Sequence, residues 1–388
     1  MTSTYFEGQC LKNPKAQRGY SRDQRPDCKQ VVVGLVLDRD GFPKAHEVFE
    51  GNRQDRASLE DMLCLLEQRS GRRGGATVIV DRGMSYEDNL AQIKARGHHY
   101  LVATRQSERQ AWFDEIEDDE GWEELIRQPS PRNSAQKKSR VWIKRAETAE
   151  HLYVLCRSEG RKAKDEAIRV KQEKRLLADL ARLKKRIEAG RVQTEKVYEA
   201  IGRLKERYPR VARYWRLEYD TAKQRLDWQE DQTKKQRALR LDGAYLLKTD
   251  RKDLTAEEAW RLYTLLTRVE DAFRDMKSPL SERPIFHQLQ RRVETHIFLC
   301  VLAYHLLISI EKTFLDQSIH TSWATLRAQL STHQVVTAVL PTSDGNLLKI
   351  RRSTTPEPEH RQIYRVLAIP EDVMLPIKTW LPASEGSP

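Results

Sequence analysis

The sequence predicts an α/β protein in which a mixed sheet with flanking helices is interrupted by a large, mainly helical insertion. Its first third contains short apolar or alternating runs, which are typical of strands. Residues 76–104 contain two such runs on either side of a helical pattern, as in a βαβ unit. Residues 163–240 are heavily charged and have apolar residues at helical spacing, which predicts helices outside the sheet.

The strands are predicted from runs of apolar, β-branched and aromatic residues. VVVGLVLD, residues 31–38, is almost entirely apolar and is expected to form a buried strand. Turn residues at 39–43 connect it to an alternating run, which predicts a hairpin. Residues 140–144 and 152–156 give weaker strand signals. We expect one mixed sheet, and its predicted strands are residues 2–7, 31–38, 44–52, 76–80, 99–104 and 241–249.

The helices are predicted from apolar periodicity and from capping residues at their starts. Ser85 with Asp88, and Thr255 with Glu258, have the spacing of a capping box. Pro284 is expected to begin a long apolar helix. A short coiled-coil-like seam consists of Leu176, Leu180, Leu183 and Ile187. The predicted helices outside the charged region are residues 57–68, 85–96, 254–277 and 284–314.

Composition excludes several classes of protein. The 388 residues are 39% hydrophobic and 32% charged, with a mean hydropathy of −0.73, which excludes a polytopic membrane protein. Five scattered cysteines without a CxxC pair indicate neither a zinc site nor a disulfide framework. The longest apolar run, residues 297–310, contains His305, is short for a membrane span and is expected to be a buried helix.

The net charge of +12 lies in one part of the chain. Residues 161–240 contain 25 Lys and Arg against 13 Asp and Glu, and the remaining residues are balanced. A local basic excess favours a polyanionic partner such as nucleic acid. The alternative is that these cations form a solvated face of ordinary surface helices.

Two places in the sequence have acidic residues suited to catalysis. Asp81 follows a predicted strand, where functional groups often lie, and Arg82 beside it suits a phosphate contact. Glu270, Arg274 and Lys277 share one helical face, so an acid there is flanked by two cations. The alternatives are a turn-capping aspartate and an ordinary Glu–Arg pair on a solvated face.

Several segments together make the chain resemble a known family. They are TSTYFEG (2–8), RGYSRDQRPDCKQ (18–30), VGLVLDRDGFPKAHEVFEGN (33–52), VDRGM (80–84), LDGAYLLKTD (241–250) and RVEDAFRDMKSPLSERPIFH (268–287). In these segments the chain resembles the transposases of insertion sequences of the IS4 superfamily, and within it the IS1634-like branch. The resemblance covers about residues 2–310.

The resemblance implies a ribonuclease-H-like catalytic domain with an Asp-Asp-Glu triad. Such a triad holds two Mg²⁺ ions, for which Mn²⁺ can substitute, and supports in-line phosphoryl transfer on DNA. The second aspartate corresponds to Asp81 and the glutamate to Glu270. Tyr263 and Lys277 match the family's helix motif, which also binds DNA. Leu266 stands where the motif has arginine, and Arg274 is expected to take that role.

The first aspartate of the triad is the main departure from the family. In relatives it precedes the segment that begins here at Thr2, so it would lie immediately before Met1. We therefore expect an N-terminally truncated chain, from a late start or a decayed element. As numbered, it is expected to bind metal weakly and to cleave DNA poorly or not at all. The alternative function is a non-enzymatic DNA-binding remnant that inhibits a full-length transposase.

The expected partner is DNA, both the element ends and the target, bound by a homodimer without membrane association in the cytoplasm, near the nucleoid. The DNA backbone is expected to contact cations of the basic insertion, namely Lys184, Lys185, Arg186, Lys234 and Lys235. The expected domains are a first catalytic part (1–104), the basic insertion (105–240), a second catalytic part with the Glu270 helix (241–315) and a small C-terminal extension (316–388).

Overall fold

The computed structural model describes residues 1–127, 132, 135, 138–371 and 374–382. The predicted strands lie close to the sequence runs that predict them, and the structure also contains strands that were not predicted. They are β1 (Thr2–Tyr5), β2 (Gln30–Leu37), β3 (Pro43–Glu50), β4 (Thr77–Val80), β5 (His99–Ala103), β6 (Glu123–Ile126), β7 (Arg140–Glu147), β8 (Leu152–Ser158), β9 (Trp215–Asp220), β10 (Arg225–Glu230), β11 (Ala244–Thr249), β12 (Val335–Pro341), β13 (Leu347–Ser353) and β14 (Ile377–Leu381).

Helices separate most of these strands. They are α1 (Leu59–Ser70), α2 (Glu87–Ala95), α3 (Phe113–Glu117), α4 (Glu159–Glu188), α5 (Thr194–Arg207), α6 (Pro209–Ala212), α7 (Gln232–Arg240), α8 (Ala256–Thr264), α9 (Leu266–Lys277), α10 (Gln290–Asp316), α11 (Trp323–Leu330) and α12 (Pro358–Val366). The mixed α/β class that the sequence predicts is confirmed.

The chain forms two compact units. The first unit comprises Met1–Gly71, Pro129–Lys137 and Thr267–Pro388, and the second comprises Arg72–Gln128 and Lys138–Leu266. Each unit contains its own sheet and its own core. The predicted boundary between the first catalytic part and the basic insertion, after residue 104, falls within the second unit.

The first unit contains an antiparallel sheet in the order β1-β2-β3. β2 and β3 pair antiparallel, so the predicted hairpin between them is confirmed. At its turn the Asp38 carboxylate accepts hydrogen bonds from the amides of Asp40 and Phe42. Gly41 completes this turn with a φ of +94°, which side chains rarely tolerate. The apolar side chains of β2 pack with those of α9 and α10 in the core of this unit.

Helix α10 has one buried and one exposed side. Val293, Ile297 and Tyr304 are buried in the core, whereas Leu299 and Leu306 are more than half exposed. Among the described residues, α10 is the helix long and apolar enough to cross a membrane by length and composition alone. Its buried side packs in the core of the unit, as expected of a core helix. The expected burial of the whole apolar run, including the exposed His305, is wrong.

The second unit contains a mixed sheet in the order β4-β5-β11-β8-β7-β6. β4 and β5 are parallel and joined by α2, so the predicted βαβ unit is confirmed. β11 lies antiparallel between β5 and β8. The strands on both sides of the predicted insertion boundary therefore belong to one sheet, which α8 covers through Ala259 and Trp260.

The basic region has a core of its own within the second unit. The predicted seam of α4 is buried and packs against α5, with Leu176 and Leu180 completely covered. The helices predicted for residues 163–240 are confirmed by α4 to α7, but β9 and β10, which were not predicted, form an antiparallel hairpin among them. Their alternating side chains, including Leu226, cover the end of the same core.

Three other expectations about helices and strands are wrong. β1, β2 and β3 do not continue into the sheet of β4 and β5, because each set of strands has different hydrogen-bond partners. Ser85 does not cap α2, because its hydroxyl donates to the Arg82 carbonyl and closes a short 3-10 turn. Pro284 does not begin α10, because the neighbouring Ile285 exchanges backbone hydrogen bonds with Tyr5 and Glu7.

The predicted helix over residues 254–277 is divided in two. Its start is confirmed, since Thr255 and Glu258 form the expected capping box on α8. At its end, the Leu265 amide donates to Leu262 in a tighter turn, and the Thr264 hydroxyl donates to the Arg261 carbonyl. Tyr263 and Glu270 therefore lie on different helices, α8 and α9.

Candidate active site

Asp81 lies directly after β4, at the carboxyl end of this parallel strand. Its Oδ1 accepts a hydrogen bond of 2.9 Å from the Gly83 amide and caps the short turn Arg82–Met84. A Cβ at position 83 would lie 3.2 Å from Oδ1, so glycine permits this close approach. Asp81 is exposed and has no ion pair with any described residue. It therefore caps a turn and also keeps a solvent-facing carboxylate oxygen.

Arg82 and Tyr263 lie near Asp81 within the second unit. The Arg82 Nε is buried and has no hydrogen-bond partner among the described residues. Burial raises the pKa of the Tyr263 phenol, while the positive charges of Arg161 and Arg82 oppose this and Asp81 adds to it. The charges of Asp81, Arg82 and Arg161 therefore all act on the Tyr263 phenol.

Arg161 is a neighbour of this group that sequence reasoning missed. It lies at the start of α4, and its Cζ is 3.9 Å from the centroid of the Tyr245 ring. Tyr245 in turn accepts a hydrogen bond of 2.8 Å from Trp260 Nε1. Because Arg161 is far from Asp81 in sequence, no local pattern could have linked them.

Glu270 lies on α9, in the first unit. It is exposed and makes no hydrogen bond or ion pair with any described residue. Arg274 does not pair with Glu270 but with Asp271, at 2.6 Å. The ordinary Glu–Arg pair, which was the alternative explanation of this motif, is therefore absent from the described chain. Glu270 keeps its whole carboxylate available to solvent.

Lys277 ends α9 and is buried, whereas a DNA contact was expected for it. Its Nζ lies 2.8 Å from Asp23 Oδ1, and Arg283 pairs with the same oxygen. The side chains of Lys277 and Asp23 are only 10% and 4% exposed, so this pair is shielded from solvent. The structure thus gives Lys277 a partner within the protein.

Glu282 completes a buried polar cluster next to this pair, which sequence reasoning also missed. Its side chain accepts a hydrogen bond from the Thr4 hydroxyl and is fully buried. Burial raises the pKa of its carboxyl, and the Asp23 charge adds to this, whereas Thr4 and Lys277 oppose it. The cluster joins the start of the chain to the segment after α9. Both acids lie in quoted family segments, but nothing in the sequence shows that they are buried together.

The two expected catalytic acids belong to different units, Asp81 to the second and Glu270 to the first. We expect the carboxylates of Asp81 and Glu270 to lie close enough together to share a two-metal site, and this stays a prediction. No group of three or more His, Cys, Asp or Glu side chains that could hold a metal occurs among the residues described. Both carboxylates nevertheless fit a magnesium ion in donor chemistry, since they are hard oxygen ligands and neither forms an ion pair with a residue that the structure describes.

Three of the five cations expected to bind DNA already have acidic partners. These pairs are Lys184–Asp227 (3.0 Å), Lys234–Asp231 (3.0 Å) and Lys235–Glu173 (2.9 Å). Lys185 and Arg186 are exposed and have no acidic partner in the described part of the chain. The structure therefore separates cations that are neutralised from cations that are available to an external anion.

Comparison with known proteins identifies the family of the chain. The family described as transposase DDE domain matches residues 4–306, which include Asp81, Glu270 and the basic region. No curated protein sequence matches the chain. Members of this family act on DNA and generally use divalent metal ions. The match extends over more than half of the chain, and the chain belongs to the transposase DDE domain family.

Proposed function

We propose that the chain is the transposase of an IS4-superfamily insertion sequence of the IS1634-like branch. In this proposal a ribonuclease-H-like catalytic domain cleaves DNA and transfers strands by in-line phosphoryl transfer. The observation that carries it is that Asp81 and Glu270, the acids assigned by resemblance, are both exposed and unpaired among the described residues. Asp23, by contrast, has its side chain buried in ion pairs with Lys277 and Arg283.

Each residue near the proposed site has a physical role in the reaction. Asp81 and Glu270 would hold the metal ions, which supply charge stabilisation for the attacking and leaving oxygens. The Gly83 amide fixes one oxygen of Asp81 and leaves the other free. Arg82, which follows Asp81 in the chain, and Arg161, which acts with it on Tyr263, would provide positive charge for a DNA phosphate.

The test restores the acid that the resemblance places before Met1. An aspartate is added immediately before Met1, and nicking of DNA that carries the element ends is measured with Mg²⁺ or Mn²⁺. The chain as numbered is expected to cleave weakly, and the extended chain to cleave at least about 100-fold faster, because a metal ligand is restored. In the extended chain, Asp81→Asn and Glu270→Gln are each expected to abolish this gain.

Matched controls carry the same substitutions at exposed positions outside the site. Asp40→Asn changes a turn aspartate, and Glu257→Gln changes a helical glutamate that pairs with Arg261. Both should keep the gain in cleavage. Robust Mg²⁺-dependent cleavage by the chain without the added aspartate would show that the expectation of weak cleavage is wrong. No gain on extension, with DNA binding retained, would favour the alternative of a DNA-binding inhibitor of a full-length transposase.

The remaining parts of the proposal concern assembly and organisation. We infer a homodimer that binds two element ends in the cytoplasm, near the nucleoid, without membrane association. Residues 1–104 and 241–315 would form the catalytic domain, residues 105–240 the insertion and residues 316–388 the extension. Light scattering with and without DNA tests the dimer, since a monomer in both conditions would contradict it.

A further inference from the structure

A basic pocket lies within the second unit, formed by the segment after β5 and by α4, α6 and α7. Its volume is about 520 Å³, within the range of small-molecule sites. Six cationic side chains line it, namely Arg109, Arg169, Arg210, Arg213, Lys234 and Arg237. The acids that line the same pocket are Asp165 and Asp242. Positive charge therefore exceeds negative charge in a concave space.

Ion pairs neutralise only part of this positive charge. Arg169 pairs with Asp242, and Arg210 lies 3.6 Å from Asp165. Lys234 pairs with an acid on its own helix start, as described above. Each lining acid is thus ion-paired with an arginine, and both acids also act on Arg109 without pairing with it.

The other arginines are oriented by neutral groups only. Arg109 donates to the backbone carbonyls of Leu241 and Ala244 at 3.1 and 2.8 Å. Arg213 donates to the Tyr214 hydroxyl at 3.0 Å. Arg237 stacks on an aromatic ring, with its Cζ 4.5 Å from the Phe113 centroid. Among the described residues, Arg109, Arg213 and Arg237 have no carboxylate partner, although their positions are fixed.

Arginines held in place with their full charge form a preorganised anion site. Burial lowers the pKa of Arg109, and the charges of Arg82 and Arg213 lower it further, whereas Asp165 and Asp242 oppose this. Arg109 is therefore repelled by neighbouring cations and is only partly compensated by the acids of the pocket. A bound anion would remove this repulsion. A phosphate monoester carries about −1.5 to −2 charges at neutral pH, more than a backbone diester, and guanidinium groups bind it through paired hydrogen bonds.

We propose that the pocket lined by Arg109, Arg213 and Arg237 binds the terminal phosphate of a nucleotide. The phosphate can belong to the 5′ end of a DNA strand or to a free nucleotide, since both present the same group. A smooth duplex backbone presents diesters on a convex surface, which suits a concave pocket less well. The assignment to a DNA end rests on the proposed function, whereas affinity for the phosphate itself does not.

The test compares oligonucleotides of one sequence that end in a 5′-phosphate or a 5′-hydroxyl, with binding followed by fluorescence anisotropy. The full chain is expected to bind the phosphorylated form at least about tenfold more tightly, the effect of one strong charged hydrogen bond. In the double variant Arg213→Gln and Arg237→Gln, this preference should fall below about threefold. Arg109 is left unchanged because its hydrogen bonds support the backbone.

The matched control removes the same charge from the same region. Arg182→Gln with Arg203→Gln changes exposed arginines on α4 and α5 that are paired with acids. This control should keep the preference for the phosphorylated end. Equal loss in both double variants, or no preference in the full chain together with no binding of deoxyadenosine monophosphate, overturns the proposal.

Calorimetry with deoxyadenosine monophosphate distinguishes the two sources. Binding that the Arg213→Gln and Arg237→Gln variant loses, without preference for a phosphorylated DNA end, assigns the pocket to a free nucleotide. In the extended chain with the aspartate before Met1, loss of the DNA-end preference in the Arg213→Gln and Arg237→Gln variant, with cleavage retained, supports the pocket. Failure of the extended chain to cleave DNA, with the preference intact, contradicts the proposed function alone.

Discussion

Glu282 illustrates how a buried acid can be tolerated without a complete set of partners. One of its carboxylate oxygens accepts the Thr4 hydroxyl, while Oε2 is buried and has no hydrogen-bond partner among the described residues. Asp23 Oδ2 is in the same situation. Lys277 and Arg283 both pair with Asp23, so the nearest cations stabilise that acid first. Burial therefore raises the pKa of Glu282, so the folded chain favours its neutral form more than the unfolded chain does.

Glu282→Gln is expected to change how stability depends on pH. Burial raises the pKa of this carboxyl above 4.5, so its contribution to stability is full below that pH and is lost as pH rises through the raised pKa. Glutamine stays neutral, and the variant should gain about 1.4 kcal/mol relative to the native chain for each unit of pKa elevation. Urea unfolding between about pH 5 and pH 8 measures this difference.

A control for this prediction is Glu257→Gln, an exposed glutamate paired with Arg261 on α8. Its unfolding free energy should follow that of the native chain at every pH. If the curve of Glu282→Gln also runs parallel to the native curve, the buried carboxyl is not protonated more readily in the folded chain, and the interpretation of this cluster is wrong.

The positions of the expected site residues follow from sequence more readily than their partners do. The resemblance selects Asp81 and Glu270, and both have exposed carboxylates. Helical spacing suggests a Glu270–Arg274 pair, but Arg274 pairs with Asp271 one turn away. Lys277 shares that helical face in projection and is nevertheless buried. Ion-pair choice depends on which surfaces pack together, and this is a tertiary property that spacing within one helix does not contain.

At the scale of elements, the seam between α4 and α5 holds the basic region together. Leu180 is completely buried among Leu176, Leu183 and the apolar side chains of α5. Each such side chain contributes about 1.5–3 kcal/mol when it is fully buried. This burial has to offset the repulsion among the many cations on the outer surfaces of the same helices.

Leu180→Ala is expected to destabilise the second unit by about 2–5 kcal/mol, because it leaves a cavity in this small core. Thermal unfolding followed by circular dichroism should show a lower midpoint for the transition that includes α4. Val170→Ala is the control on the same helix, since Val170 is 57% exposed and its truncation should change stability by less than about 0.5 kcal/mol. Equal effects of both substitutions would mean that the seam is not a core.

Local patterns predict elements well and sheet partners poorly. The apolar run of β2, the alternating run of β3 and the capping box of α8 depend only on neighbouring residues, and all three predicted elements are confirmed. Which hairpins and βαβ units share a sheet depends on contacts with distant residues, and the expectation of one continuous sheet is wrong. The hairpin of β9 and β10 had a local signal, the alternation in WRLEYD and RLDWQE, which the surrounding charge obscured.

At the scale of the whole molecule, net charge overstates the positive charge that is available for DNA. The basic excess lies in residues 161–240, but ion pairs with acids hold part of it. Lys184 pairs with Asp227, and Lys235 contacts both Glu173 and Glu230. Only a cation without such a partner adds its full charge to the surface, because an ion pair is nearly neutral at a distance.

The salt dependence of DNA binding distinguishes these two kinds of cation. The slope of log affinity against log salt is negative, and each phosphate that the protein no longer neutralises should make it less steep by about 0.9 for duplex DNA. Lys185→Gln with Arg186→Gln removes unpaired charges and should make the slope less steep by up to about 1.8. Lys184→Gln with Lys235→Gln removes equal charge from ion pairs and should change it by less than about 0.5, once circular dichroism confirms folding. Equal changes would show that ion pairing does not decide where DNA binds, and an unchanged slope in both variants would place the DNA elsewhere on the molecule.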